Sequence, residues 1–163
     1  MTFEEFLGAE MTGLTRFSGA LCGNQHLAED VLVDALLVAS TRWSRISRME
    51  HPLAYVRRIV LSTFLSETRK AGRRRTEATS DPALLERADA DAYEAVDRRD
   101  EVRRLLATLA PQQRAAVVLR YLFDQTDDEV ADVLSCSPAT VRSHLSHARS
   151  ALRLTAAVDR RGS

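Results

Sequence analysis

QTDDEVADVLSCSPATVRSHLSHARSALRL, residues 125–154, is the stretch on which the fold turns. It reads as two short helices joined by a tight turn. Thr126 with Glu129 three residues later is a capping box, so a helix starts there. Val130, Ala131, Val133 and Leu134 cluster on one side of it, and Ser135-Cys136-Ser137 then interrupts the pattern. Ser137 is a good N-cap, and Pro138 occupies a first helical position, where a missing N–H costs nothing. In the second helix Val141, Leu145, Ala148 and Leu152 are spaced four, three and four apart, which makes one buried stripe. Thr140, Arg142, Ser143, Ser146, His147 and Arg149 are left facing outward. An acid-free helix rich in Arg, Ser, Thr and His suits a DNA major groove, where such groups meet base edges and phosphates. A helical hairpin with a solvated basic face is the plainer alternative. The short turn, the two caps and the lack of acids together favour a helix-turn-helix.

Working outward, the chain of 163 residues allows one large domain or two small ones. Glycine and proline are scarce and no run alternates in the manner of a strand, so the fold is expected to be all-α. The acidic start, MTFEEFLGAEMTG, lacks a basic leader, and no apolar run approaches a membrane span; VLVDALLVA (31–39) carries Asp34. A cytoplasmic protein without membrane contact is expected. Cys22 and Cys136 lie far apart with no ligand at metal spacing, which favours free thiols in a reducing compartment over a disulfide or a metal.

Formal net charge is zero, yet the charges are segregated. Residues 1–41 hold six acids and one arginine, 42–75 ten basic residues and two acids, 76–98 seven acids and two arginines. Such blocks mean several surfaces with different partners.

Ahead of the helix-turn-helix the first half suggests three helices. Thr2 with Glu5 is a second capping box opening a stripe of Phe3, Phe6, Leu7, Leu14, Phe17 and Leu21, broken by Cys22-Gly23-Asn24. A second helix is expected from about Leu27 to Trp43. A third starts near Pro52 and ends at Gly72, with Leu53, Val56, Ile59, Val60, Thr63 and Phe64 on its core side. Residues 76–99 lack an amphipathic stripe and read as an acidic linker. Two further helices are expected near 101–109 and 111–123. Together with the helix-turn-helix they would close a core on Val102, Leu105, Leu106, Leu109, Val117, Val118, Leu119, Leu122, Val130, Val133, Val141 and Leu145.

Four segments in order, AEDVLVDALL (28–37), HPLAYVRRIVLSTFLSETRKAGRRR (51–75), LAPQQRAAVVLRYLFDQTDDEVADVL (109–134) and SCSPATVRSHLSHARSALR (135–153), resemble the extracytoplasmic-function sigma factors of bacterial RNA polymerase. Trp43 and AYVRRI (54–59) make the likeness greatest to the actinobacterial branch. The resemblance implies two small helical domains. Region 2 (1–75) has three helices and region 4 (100–156) has four, including the helix-turn-helix. The acidic linker (76–99) joins them and a short tail (157–163) follows. It implies core RNA polymerase and promoter DNA as partners. Region 2 would grip the β′ clamp helices and melt the −10 element. Region 4 would sit on the β flap and read the −35 element, with the linker threading toward the RNA exit. An anti-sigma factor is a usual further partner of the family. Neither cofactor, metal nor catalysis is implied.

The residues agree with this physically. Glu29, Asp30 and Asp34 place carboxylates on one side of the second helix, suited to basic clamp helices. Ser44, Arg45, Ile46, Ser47 and Arg48 fall in the loop where the family captures a base flipped from the −10 strand. Trp43 at its edge either stacks on a base or caps the core, and the core is the better expectation for one tryptophan at a helix end. Arg57, Arg58, Arg69, Lys70, Arg73, Arg74 and Arg75 make a basic surface suited to duplex phosphates. On the last helix Arg142, Ser143, Ser146 and His147 are expected to face bases, and Thr140 and Arg149 phosphates. Asp127, Asp128 and Glu129, at the start of the helix before it, suit the helix dipole but repel nearby phosphate.

The chain departs from the family's pattern at five places. Val33 stands where Gln is frequent, Ser62 where Asn is, and Ala139 where a Gly precedes the Thr-Val pair. Ser135 replaces the glycine of the turn, at a position that favours positive φ. His147 replaces a common Arg and cannot make a bidentate guanine contact. An independent helix-turn-helix regulator is an alternative, but it shows no dimerisation helix and leaves the acidic surfaces without a use. A sigma-like adaptor that binds polymerase without promoter-specific initiation is another. No phosphate loop or nucleophile motif supports an enzyme, and His144 with His147 is better read as groove-facing than as a metal pair.

Overall fold

The computed structural model describes residues 1–77 and 98–161, with side chains described for 1–76 and 100–153. The expected acidic linker therefore lies almost wholly outside the described residues. Helices α1 (Phe3–Cys22), α2 (Gln25–Thr41), α3 (Trp43–Ile46) and α4 (Pro52–Glu77) form the first half. Helices α5 (Arg98–Ala107), α6 (Pro111–Val117), a π-helical turn (Val118–Leu122), α7 (Asp127–Leu134) and α8 (Pro138–Arg161) form the second. Among the described residues there is no strand, so the all-α expectation holds. No described helix is long and apolar enough to cross a membrane.

Local chemistry sets most helix ends. Thr2 and Glu5, and Thr126 and Glu129, form reciprocal capping boxes that satisfy two otherwise orphaned N–H groups each. Gly23 ends α1 in the left-handed region at φ 69°, and the Asn24 side chain then accepts from Leu27 N to start α2. Several boundaries differ from expectation: α5 starts at Arg98, inside the expected linker, and α8 runs to Arg161, through most of the expected tail. α2 ends at Thr41, and Trp43 opens the separate short turn α3, because Arg42 leaves helical geometry at φ −108°, ψ 9°. α4 runs past Gly72 to Glu77; the Thr76 hydroxyl bonds back to the Gly72 carbonyl.

The first half packs α1, α2 and α4 around Phe6, Leu14, Phe17, Leu21, Val31, Val56, Val60 and Phe64. Trp43 belongs to this core. It is 9% exposed, its ring lies 5.3 Å and 4.8 Å from those of Phe3 and Phe6, and its Nε1–H donates to the Met1 carbonyl at 3.1 Å. The second half buries Leu106, Leu109, Ala115, Ala116, Val118, Leu119, Val130, Val133, Val141 and Leu145. Val102 and Leu122, expected in that core, are exposed at 43% and 46%. Leu122 is turned out by the π turn, whose extra residue per turn shifts the register: Val118 and Leu119 enter the core while Tyr121 and Leu122 leave it.

The two halves also pack on one another, α4 against α7 and α1 against α5 and α6, and their buried side chains form one continuous cluster. Phe123 meets Phe17 edge-on at 6.0 Å. Arg114 Nη1 donates to the Leu21 carbonyl at 2.5 Å, and its other nitrogens donate to Leu106, Ala107 and Leu109 carbonyls. Arg58 donates to the Asp132 carbonyl on α7.

Candidate nucleic-acid interface

α8 is held by the turn before it. Ser135 sits in the left-handed region at φ 55°, the conformation expected where a glycine would be relaxed, so this turn carries some backbone strain. Ser137 Oγ accepts from Thr140 N at 3.1 Å and lies 2.9 Å from Thr140 Oγ1, capping the helix. Val141, Leu145 and Ala148 are buried against the rest of the second half. Thr140, Arg142, Ser143, Ser146, His147 and Arg149 are all exposed, so one helix brings the six expected side chains to a single open surface. His144 lies between the faces. Burial first, and then His147, lowers its pKa from the usual 6.5, which favours the neutral ring.

Neighbouring elements touch the α8 arginines. Asp127, the first residue of α7, places Oδ2 3.8 Å from Arg142 Nη1 and Oδ1 3.5 Å from Arg120 Nε. Arg149 Nη1 donates to the Tyr121 hydroxyl at 3.2 Å. Sequence reasoning misses Arg120 and Tyr121 altogether, and it finds in Asp127 a helix-start acid but no partner for it. No local spacing links the three to α8, and the π turn that aims Arg120 and Tyr121 has no composition signal.

The other basic candidates divide. Arg69, Lys70, Arg73, Arg74 and Arg75 line the exposed end of α4, with Lys70 3.5 Å from Glu67. Ser44, Arg45 and Arg48 are exposed and Ser47 is half-buried. Ile46 is fully buried and Trp43 nearly so, which removes both from a base-contacting surface; each is held by core packing. Arg57 also departs from expectation. It is 7% exposed, its guanidinium lies 4.9 Å over the Phe123 ring, and its Nε has no hydrogen-bond partner among the described residues. Burial lowers the pKa of Arg57, opposed by Glu10 and Glu129, although an arginine stays charged. Arg58 is half-buried on α7. Beside it a groove of about 340 Å³ is lined by Val38, Arg42, Tyr55, Arg58, Ile59 and Ser62, among other residues.

On α2, Glu29, Asp30 and Asp34 are exposed together, as expected. Val33, where Gln is frequent in the family, is 55% exposed on that face, and the structure adds Leu37 at 60% exposure and one more carboxylate, Glu67 of α4, at its cleft. Asp30, Val33, Asp34 and Leu37 follow helical spacing, so acid and hydrocarbon form one stripe. Among the described residues no group of three potential ligands could hold a metal, and Cys22 and Cys136 are free. Burial pushes the Cys22 thiol up to about 11, which favours the thiol over the thiolate.

The family description "Sigma-70, region 4" matches residues 99–152. The RNA polymerase sigma-E factor of Streptomyces coelicolor is 32% identical over 153 residues, covering 94% of this chain and 85% of the relative. The ECF RNA polymerase sigma factor SigG of Mycobacterium tuberculosis is 30% identical, covering 82% of this chain and 43% of the relative. Among solved structures, the sigma factor RpoE in complex with the anti-sigma factor NepR from Bartonella quintana superposes with a TM-score of 0.75 at 24% identity, covering 96% of this chain and 98% of that one.

Proposed function

The chain belongs to the extracytoplasmic-function sigma factors of actinobacterial type, and from that premise we propose how its surfaces divide the work of initiation. As a member it is a promoter-directing sigma factor, with core RNA polymerase and promoter DNA as partners. Residues 1–75 act as region 2 and residues 100–156 as region 4, joined by residues 76–99. The acidic and apolar stripe of α2, Glu29, Asp30, Val33, Asp34 and Leu37, docks on the basic clamp helices of β′. Carboxylates steer and orient that encounter, and the two aliphatic side chains supply area to bury. Ser44, Arg45, Ser47 and Arg48 border the melted −10 strand. Arg69, Lys70, Arg73, Arg74 and Arg75 bind duplex phosphates, giving affinity and register without sequence.

The observation that carries the reading is α8: six polar side chains exposed on one helix whose opposite stripe is buried and whose start is capped. Arg142, Ser143, Ser146 and His147 read the −35 element in the major groove, and Thr140 and Arg149 contact phosphates. The protein acts in the cytoplasm, performs no catalysis of its own and binds no cofactor. An anti-sigma partner is part of the proposal; RpoE, whose fold this chain shares, was solved in complex with one.

In-vitro transcription with purified core polymerase on a pool of genomic fragments tests this, with RNA 5′ ends sequenced. Starts at a fixed distance from a shared two-part motif are expected. Co-elution with core but no transcripts would leave only an adaptor, and tight specific DNA binding by the chain alone would overturn the dependence on core.

A further inference from the structure

We infer that Asp127 is a positioning residue for promoter reading: it orients Arg142 and so sharpens base discrimination at the position Arg142 reads. The inference rests on the assignment of α8 as the recognition helix and deepens it.

Asp127 is fixed from three sides. It opens α7 directly after the Thr126 cap, whose reciprocal bonds with Glu129 lock the first turn. The positive end of the helix dipole favours a carboxylate there. Arg120, from the π turn, holds Oδ1 and leaves Oδ2 toward Arg142. The side chain of Asp127 is 32% exposed, against 62% for Arg142, so the anchor is less mobile than the group it holds. A long arginine loses rotamer freedom when it binds a base, and a guanidinium already drawn to one side by a carboxylate loses less. Its remaining N–H groups stay available for a base edge.

The same carboxylate sits beside the groove-facing surface, where it repels phosphate. Asp127 is therefore expected to lower affinity for any duplex while raising preference for the right one. Tyr121 supplies the contrast. Its hydroxyl accepts from Arg149, seven residues beyond Arg142 and assigned to phosphate. Loss of that contact should weaken binding evenly and leave the sequence profile alone.

The test uses holoenzyme: core polymerase with the full chain or with Arg142→Ala, Asp127→Asn, Asp127→Glu or Tyr121→Phe. Each selects from a duplex pool randomised over the upstream element, and each is titrated on one duplex without that element. Arg142→Ala should flatten one position of the profile. Asp127→Asn should reduce preference at that same position roughly five-fold, the scale of coupling between neighbouring charged side chains. It should also tighten binding to the element-free duplex about two-fold as a repelling charge is removed. Asp127→Glu should restore most of the preference, and Tyr121→Phe should lower affinity evenly. An unchanged Asp127→Asn profile overturns the inference, and so does a parallel loss on both duplexes with lowered thermal stability, which would mark Asp127 as merely structural. If Arg142→Ala leaves the profile intact, the recognition-helix assignment fails first and the inference falls with it.

Discussion

At the junction of the two halves the arginines point inward, whereas on α8 they point out. Arg114 is held by backbone carbonyls of α1, of α5 and of the turn after α5, with the Phe64 ring 5.6 Å from its guanidinium. Arg57 lies over Phe123 with one N–H unmatched among the described residues. Arg142 and Arg149 touch one neighbouring side chain each and otherwise face solvent. A guanidinium drawn out of water keeps its place where carbonyl acceptors or an aromatic face replace the solvent it loses. An exposed one is left free for a ligand. The same residue type is thus structural at the junction and available for recognition on α8, and what its guanidinium packs on, the Phe64 or Phe123 ring at the junction and solvent on α8, tells the two apart.

The sharpest way to break the comparison is Arg114→Ala. It takes a charged donor from four carbonyls, of which that of Leu106 still accepts from Leu109 N, and loosens the junction, with an expected loss of about 1–3 kcal/mol. Chemical denaturation reads this directly, and an unmoved midpoint would mean that the junction holds nothing together. Phe123→Ala should cost a similar amount, roughly 2 kcal/mol, from lost aromatic burial. Paired with Arg57→Ala in a double-mutant cycle, it should reveal a coupling of about 1 kcal/mol from the stacked guanidinium.

On the other side, Arg142→Ala should leave stability within about 0.5 kcal/mol while removing about 1–3 kcal/mol of base discrimination. Equal loss of core binding and −35 preference would show a folding defect instead. Asp30→Arg with Asp34→Arg should weaken co-elution with core polymerase, most strongly at low salt, and leave folding intact. Affinity for core unchanged at every ionic strength would remove the α2 face from the docking surface.

The smallest effect concerns pH. The His144 pKa is lowered in the folded state, so the unfolded chain binds the proton first as pH falls. Its contribution to stability should be complete above about 6.5 and fade below that, as pH drops toward and through the folded value. His144→Gln should flatten that part of the stability profile; an unaltered slope would assign it to other groups.

Much of the fold is legible in the amino-acid sequence because its signals are local. Both capping boxes, the proline starts of α4, α6 and α8, and the apolar stripe of α8 are written within a few residues of the feature they set. The outward face of α8 follows from the same periodicity. The misses are of another kind. Val102 and Leu122 are apolar residues at plausible core positions, and a π turn and the docking of α5 on α1 decide otherwise. Ile46 falls in what the sequence pattern makes a loop, yet it closes the turn that seals the first core.

By itself, then, the sequence determined the long helices, the two capping boxes, the strained turn at Ser135 and the polar face that α8 presents, since each depends on backbone geometry and on side chains one to four residues apart. Only the tertiary structure decided which arginines turn into the junction of the two halves. Arg114 meets Leu21 across 93 residues and Arg58 meets Asp132 across 74, and no periodicity carries information over such distances. The pairing of Asp127 with Arg142 likewise exists only once α7 and α8 are packed, because an ion pair between helices is set by how those helices cross and not by spacing along the chain.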